Sequence, residues 1–532
     1  MGALNHIFVK ELLKKNLETK MRTLSKLLFC AGLAVTVSSC DKLDDFLGHG
    51  PGKEKGTIFE NKSELEPLVA MKPQFNFVKA YSLISSTDVL QDGFRLVGAQ
   101  DGAGFLKEGD GDMYIVNAED DYAVSRLHFD EYMNPTGGEW LLNSGVADFA
   151  RQCSGTMWEA SVHGGPRDIF LSASESFHYD VKAIDPYIET PTPTADFGLD
   201  ALGEFSWENA VPLPRDAYPG KTVIIGGDDD SSGSEGQIIL YMSENGDADL
   251  NNGKVYVLRL KEVASGSTDA DGNAINPAPV SSGVTYNEGD LAFGETYAFE
   301  FVEIENGADM TKDEMEDACV AVNASAFMRV EDVDYQKGSS DNNRNVFVAV
   351  TGRGPGAGTY NDWGTAYRLE LDEDSPLTGK LTQIVSGNTD TNNMDGNVPE
   401  LQSPDNICVT ENFIYLQEDP NSFDRGHAAY IYQTDLNGNN AKVVLELVIR
   451  NDLDPSGGSG FSGEFGALED ISEKIGEPNT FLLNLQPHYW QSDDFKSVDG
   501  HDMESDRPDA IVAGAREDDQ GGQIVILKGL PR

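Results

Sequence analysis

An all-β fold built by radial repetition, a single large β-propeller with long decorated loops, is what this sequence predicts, with six blades expected. Three observations predict it. Short runs of β-branched and aromatic residues recur through most of the chain, each bounded by Gly, Asn, Asp or Pro. No long amphipathic helix interrupts them, and no linker divides them into self-contained blocks, which favours blades around one axis over separate domains.

In chain order, the first 40 residues read as processing signal. From Met21, the expected true start, Arg22 and Lys26 form a basic region and Leu27 to Val37 an apolar one, too short to be a permanent span. Val37-Ser38-Ser39-Cys40 resembles a bacterial lipobox, which makes Cys40 the expected lipidated residue and residues 41–57 a tether. This resemblance implies a lipoprotein of the bacterial cell envelope, held on the outer membrane at its periplasmic side or at the cell surface, with the lipid as its only membrane contact.

The propeller is expected over residues 58–532. Its strands include DMYIVNAED, DIFLSASES, KTVIIGGDD, GQIILYMSE, KVYVLRLKE, NVFVAVTGR, AYRLELDED, FIYLQEDP, AAYIYQTD, TFLLNLQPH, AIVAGARED and GQIVILKG. Lys312 to Val322 and Leu468 to Ile475 are the helical candidates. The segments 265–295 and 387–401 are expected to be long loops.

Charge narrows the function classes. The chain carries 90 acidic against 39 basic residues, a net charge of −51, and has no basic footprint for nucleic acid or an anionic membrane. A monomer is expected. Cys153, Cys319 and Cys408 are the cysteines after Cys40, an odd number without a CxxC pair, which does not support a disulfide framework. The sequence has no GxSxG elbow, HExxH or P-loop, and its eight histidines make a histidine-rich zinc site a poor expectation.

Carboxylates at strand ends are what the chain offers instead: Glu119, Glu159, Glu208, Asp228 to Asp230, Glu331 with Asp332, Asp405 with Asn406, and Glu418 with Asp419. Propeller strands bring such ends together around one channel. Acids that converge there without cations repel one another and raise their own pKa values, so a metal is their natural partner.

Read in order, DG-x-G at Asp101 to Gly104, N-x-E at Asn117 to Glu119, C-x-G at Cys153 to Gly155, FSWEN, R-x-E at Arg329 to Glu331, VTGRG, SPDN and LQPH resemble the PhoX-type phosphatases. The likeness runs from about Asp92 to the end and departs from the family at Ala118, Gln152, Trp207 and Val330. It implies a six-bladed propeller whose central cluster of iron and calcium hydrolyses small phosphate monoesters outside the cytoplasm. Carried over position by position, Cys153 is the thiolate iron ligand, Glu208 and Glu331 are carboxylate ligands, and Arg329 grips phosphate. Glu119, Glu159, Asp228 and Glu418 stand on the calcium side, with His488, Asp405 and Asn406 supporting the ligands by hydrogen bonds. A non-catalytic surface propeller that uses calcium structurally and binds a polymer or a protein is the alternative.

Overall fold

A computed structural model describes residues 59–190, 197–264, 276–354, 360–387, 396–420, 425–454, 462–513 and 515–532. The signal segment, Cys40 and the tether lie outside the described residues, as do 265–275 and 388–395 of the two expected loops. Six strands line the middle of the molecule: β1 (Gln100–Glu108), β2 (Arg151–Trp158), β3 (Trp207–Pro212), β4 (Val330–Tyr335), β5 (Pro404–Val409) and β6 (Glu464–Asp470). Each packs on the next, and β6 packs back on β1, so they form a closed, propeller-like ring.

Every one of these strands is the first of an antiparallel meander that steps outward. The second strands, directly behind them, are buried on both faces over most of their length because each meander is covered by its neighbours. Thr222–Asp228, for example, and Ile238–Ser243 behind it are buried throughout. Val223, Leu240 and Leu258 of the third meander share one core with Val333, Val348 and Leu369 of the fourth. Those two meanders are also joined at their outer edges by Thr296–Glu303 into a nine-stranded sheet.

The ring is closed by strand exchange between distant parts of the chain. Lys79–Ser85 pairs antiparallel with Gln523–Lys528 as the fourth strand of the sixth meander. Residues 79–85 and 523–528 therefore share one sheet, and opening the ring would break that ladder.

Two expectations about elements are corrected. Leu468, Glu469 and Asp470 belong to β6, and only Ser472–Ile475 is helical. The run that begins at Ala510 opens in a helix, Pro508–Ala513, rather than a strand. Pro508 at its start has the φ a first helical residue needs, and Val512 is 90% exposed, so no second layer covers it as a strand would require. The Lys312 candidate is a helix, Lys312–Ala321, opened by a capping box between Thr311 and Glu314.

Candidate metal centre at one end of the channel

Each inner strand carries a β-bulge near its start. The register against the next strand shifts between Gln100 and Ala103, Gln152 and Gly155, Trp207 and Ala210, Val330 and Val333, Pro404 and Ile407, and Phe465 and Leu468. A bulge turns consecutive side chains toward the same space, which regular alternation forbids. The residues inside these bulges are Asp101-Gly102, Cys153-Ser154, Glu208-Asn209, Glu331-Asp332, Asp405-Asn406 and Gly466-Ala467.

They form two tiers. Asp101, Cys153, Glu208, Glu331 and Asp405 occupy the upper one; one ligand atom from each of Asp101, Cys153 and Glu208, and one from each of Glu208, Glu331 and Asp405, lie within 4.8 Å of one another. Ser154, Asn209, Asp332 and Asn406 form the lower tier. Ser154 donates to Asn406 Oδ1 at 3.2 Å, Asn406 donates to Asp101 Oδ1 at 3.3 Å, and Asn209 donates to Asp332. Beneath them a cavity of about 890 Å³ opens toward the other end of the channel, where Lys337 and Lys474 stand paired with acids. This cavity thus ends at the floor of the acidic cluster and does not contain its upper tier.

The second strand of each meander runs back and ends beside the start of its inner strand, so its last residues add to the same rim. Ala118 pairs with Gln100, Ser176 with Arg151, Asp228 with Trp207, and Glu418 with Pro404. This register delivers Glu119, Glu175, Asp229 and Asp419. Glu119 and Glu175 each bring one atom within 4.8 Å of Cys153, and Glu175 and Asp229 do the same with Glu208. Asp419 groups with Glu464 and His488.

Among the described residues, Arg151, Arg329 and Arg516 are the cations set among these acids. Arg329 meets Asp229 as a fork, Nε to Oδ1 and Nη2 to Oδ2, both at 2.8 Å, and Nη2 also reaches Glu331 at 3.1 Å. Its backbone has φ +64, an uncommon conformation for a side-chain-bearing residue, held by the Thr351 N–H donating to its carbonyl at 3.1 Å. Arg151 pairs with Glu119 and with Glu175, the latter at 2.6 Å. Arg516 holds Asp120 at 3.0 Å.

These cations do not balance the cluster. Burial, and then the charge of neighbouring acids, pushes Asp101, Glu208, Asp405 and Glu464 well above the ordinary carboxylate range. Burial and then Asp229 do the same to Glu331 against the pull of Arg329. Burial lifts the Cys153 thiol as well, with Glu175 and Glu208 adding to it. Asp405 Oδ1 and Asp419 Oδ1 are buried without a hydrogen-bond partner. A thiol beside several unpaired carboxylates is a donor set suited to hard and borderline cations together, so the residues fit calcium and iron.

No protein-family model matches the chain, and no curated protein matches it. Among the solved structures similar to it are three with low identity and low TM-scores. A puromycin-hydrolysing peptidase of Mycobacterium tuberculosis is 11% identical, covering 76% of this chain and 47% of its own, with a TM-score of 0.28; this chain spans about half of that protein. The catalytic domain of an alpha-L-arabinofuranosidase of Coprinopsis cinerea is 8% identical over 69% of this chain and 96% of its own, TM-score 0.29. A glycoside hydrolase described from Parabacteroides distasonis is 9% identical over 80% and 94%, TM-score 0.27.

The structure brings Cys153, Glu119, Glu208, Arg329, Glu331 and Asp405 together, with Asn406 directly below and His488 at the rim. Three expected calcium ligands stand elsewhere. Glu159 follows the far end of β2, about 20 Å along the strand from Cys153, and takes Lys474 at 2.9 Å. Asp228 faces away from the channel and accepts from the Ser206 N–H at 2.9 Å. Glu418 is fully buried and accepts from the Gln402 and Tyr430 N–H groups, each at 2.9 Å. In the last two cases the next residue, Asp229 or Asp419, is the one at the cluster, because neighbouring side chains of a strand point to opposite sides. Asp101, Glu175 and Glu464 are not among the expected ligands. The signal for them is positional: each lies at the start of a first strand or the end of a second one.

Proposed function

We propose that this chain is a metal-dependent hydrolase of phosphate monoesters, with its metals bound by Asp101, Cys153, Glu208, Glu331 and Asp405. In this reading the six meanders are the six blades of a PhoX-like propeller, carried in the cell envelope on a lipid at Cys40. The observation that carries it is an uncompensated ring of acids and one thiol beside an arginine already held in place by Asp229. Glu119, Glu175 and Asp419 extend the ring toward further cation positions.

Bound iron and calcium would withdraw charge from the phosphoryl oxygens. The chain's own part is recognition and positioning. Asp229 fixes the guanidinium plane of Arg329 through Nε and Nη2, while Nη1 has no partner among the described residues and the side chain is 31% exposed. That free edge is available to a phosphate oxygen, and the fork keeps the guanidinium from turning away. In a molecule of net charge −51, an anion binds only where the sign is reversed locally, and Arg329 beside a metal-loaded cluster is such a place.

Elemental analysis of the purified protein, together with hydrolysis of a generic aryl phosphate, tests the reading. Iron with calcium, and turnover reduced roughly a hundredfold or more in Arg329→Ala and in Glu208→Gln, is the expected result. One observation favours the non-catalytic alternative: Arg329 is already engaged by Asp229 and Glu331, as a purely structural arginine would be. Calcium alone without turnover would decide for that alternative.

A further inference from the structure

The three residues Asp419, Glu464 and His488 share no member with the other ligand groups at the rim. One ligand atom from each lies within 4.8 Å of the other two. They come from three places: Asp419 just after strand Phe413–Glu418, Glu464 at the first position of β6, and His488 just after strand Thr480–Gln486. The group therefore bridges the fifth and sixth meanders.

His488 is buried, and its ring is fixed by a contact outside the group. Nδ1 lies 3.0 Å from Oε1 of the buried Gln520, and since that oxygen only accepts, Nδ1 carries the proton. The lone pair is then on Nε2, which has no hydrogen-bond partner and points toward Glu464 Oε2 at 3.5 Å. Asp419 Oδ1 is likewise buried without a partner. Three lone-pair atoms thus face one small space. A histidine oriented through its other nitrogen is the usual arrangement of an imidazole that ligates a metal.

We infer that Asp419, Glu464 and His488 form a separate metal subsite that selects a borderline divalent cation such as zinc, distinct from the all-oxygen and thiolate positions of the cluster beside it. One imidazole nitrogen and two carboxylates suit zinc or a similar transition ion, whereas calcium takes oxygen ligands. This inference stands on its own geometry and does not require the phosphatase reading.

The test uses the full-length metal-free protein and Co²⁺ as the probe, read by absorption. Cys153→Ser removes the thiolate charge-transfer band of the cluster, so the visible ligand-field bands that persist in this variant come from nitrogen and oxygen ligands. The expected result is that those bands persist in Cys153→Ser and are lost, or need roughly tenfold more Co²⁺ or greater, when His488→Gln is added. A second measurement avoids the variant's folding: in histidine-labelled wild-type protein, Zn²⁺ should shift the Nε2 resonance of one buried histidine and leave its Nδ1 proton in place. Unchanged bands in a folded His488→Gln protein, or no shifted Nε2 resonance on adding Zn²⁺, would overturn the subsite whether or not the protein hydrolyses phosphate.

Discussion

At the scale of single residues, burial decides which carboxyls matter. Glu288 is a useful case because it lies outside the metal cluster and has no arginine or lysine partner among the described residues. Its oxygens accept from the Asn361 N–H at 2.9 Å and the Tyr367 hydroxyl at 3.1 Å, and burial pushes its pKa from 4.5 to about 7 despite both bonds. A carboxyl raised in the folded state favours folding below its unfolded pKa, and that contribution is lost as pH rises through the folded value. Between pH 4.5 and about 7 the wild type should therefore lose up to roughly 3 kcal/mol from this group. Glu288→Gln keeps an acceptor for Asn361 and a partner for Tyr367 but cannot ionise. Urea denaturation at pH 5 and pH 8 is expected to show the variant gaining on the wild type at pH 8. Equal differences at the two pH values would mean that Glu288 is already ionised at pH 5.

At the scale of elements, the inner strands explain both what is legible in the sequence and what is not. The second and third strands of the meanders, such as KTVIIGGDD and GQIILYMSE, read as strands because both faces are buried and apolar. The inner strands β1, β2, β3, β5 and β6 do not, because one side of each faces the channel and carries Asp, Cys, Glu or Gly. The bulges break the two-residue period further, which is why Leu468 of β6 reads as the start of a helix. The same bulges make the motifs recognisable as acid-containing pairs. At the ends of the second strands the pairs Asp228-Asp229 and Glu418-Asp419 hide which neighbour turns inward; the family resemblance carries the ligand role to the first of each, and the structure turns the second toward the cluster. Glycines in these strands serve close packing: a Cβ on Gly102 would stand 2.0 Å from the Gly155 nitrogen and 2.3 Å from the Ser154 carbonyl carbon of β2. Gly102→Ala must push β1 off β2 beside Asp101 and Cys153. A loss of about 3 kcal/mol is expected in chemical denaturation, together with weaker metal retention, whereas Gly109→Ala, with nothing within 4 Å of its Cβ, has only its φ of +60 to strain. Equal metal content in folded Gly102→Ala would show that the inner ring tolerates displacement.

At the scale of the whole molecule, a closed ring ties the acids to global stability. Lys79–Ser85 locks onto Gln523–Lys528, so β6 and β1 cannot move apart to relieve repulsion without breaking that sheet. In the metal-free protein the strain must be met by protons. Asp101, Glu208, Glu331, Asp405 and Glu464 all have folded pKa values raised by burial, and burial likewise lifts Asp332 to about 7. The sign follows as for Glu288: stability from these groups is present below the ordinary carboxylate pKa of about 4 and is lost as pH rises toward and through neutrality. A bound cation reverses this, since it favours the ionised ligands and adds stability in proportion to the logarithm of its concentration over its Kd. Calorimetry of chelated and metal-loaded protein at pH 5 and pH 8 is therefore expected to show a Tm gap that widens at pH 8, chiefly because the chelated form melts earlier there. Glu208→Gln should narrow the gap by removing one ligand and one source of repulsion. No gap at either pH value would mean that the channel acids are neutralised by Arg151, Arg329 and Arg516 and by protons, and hold no cation.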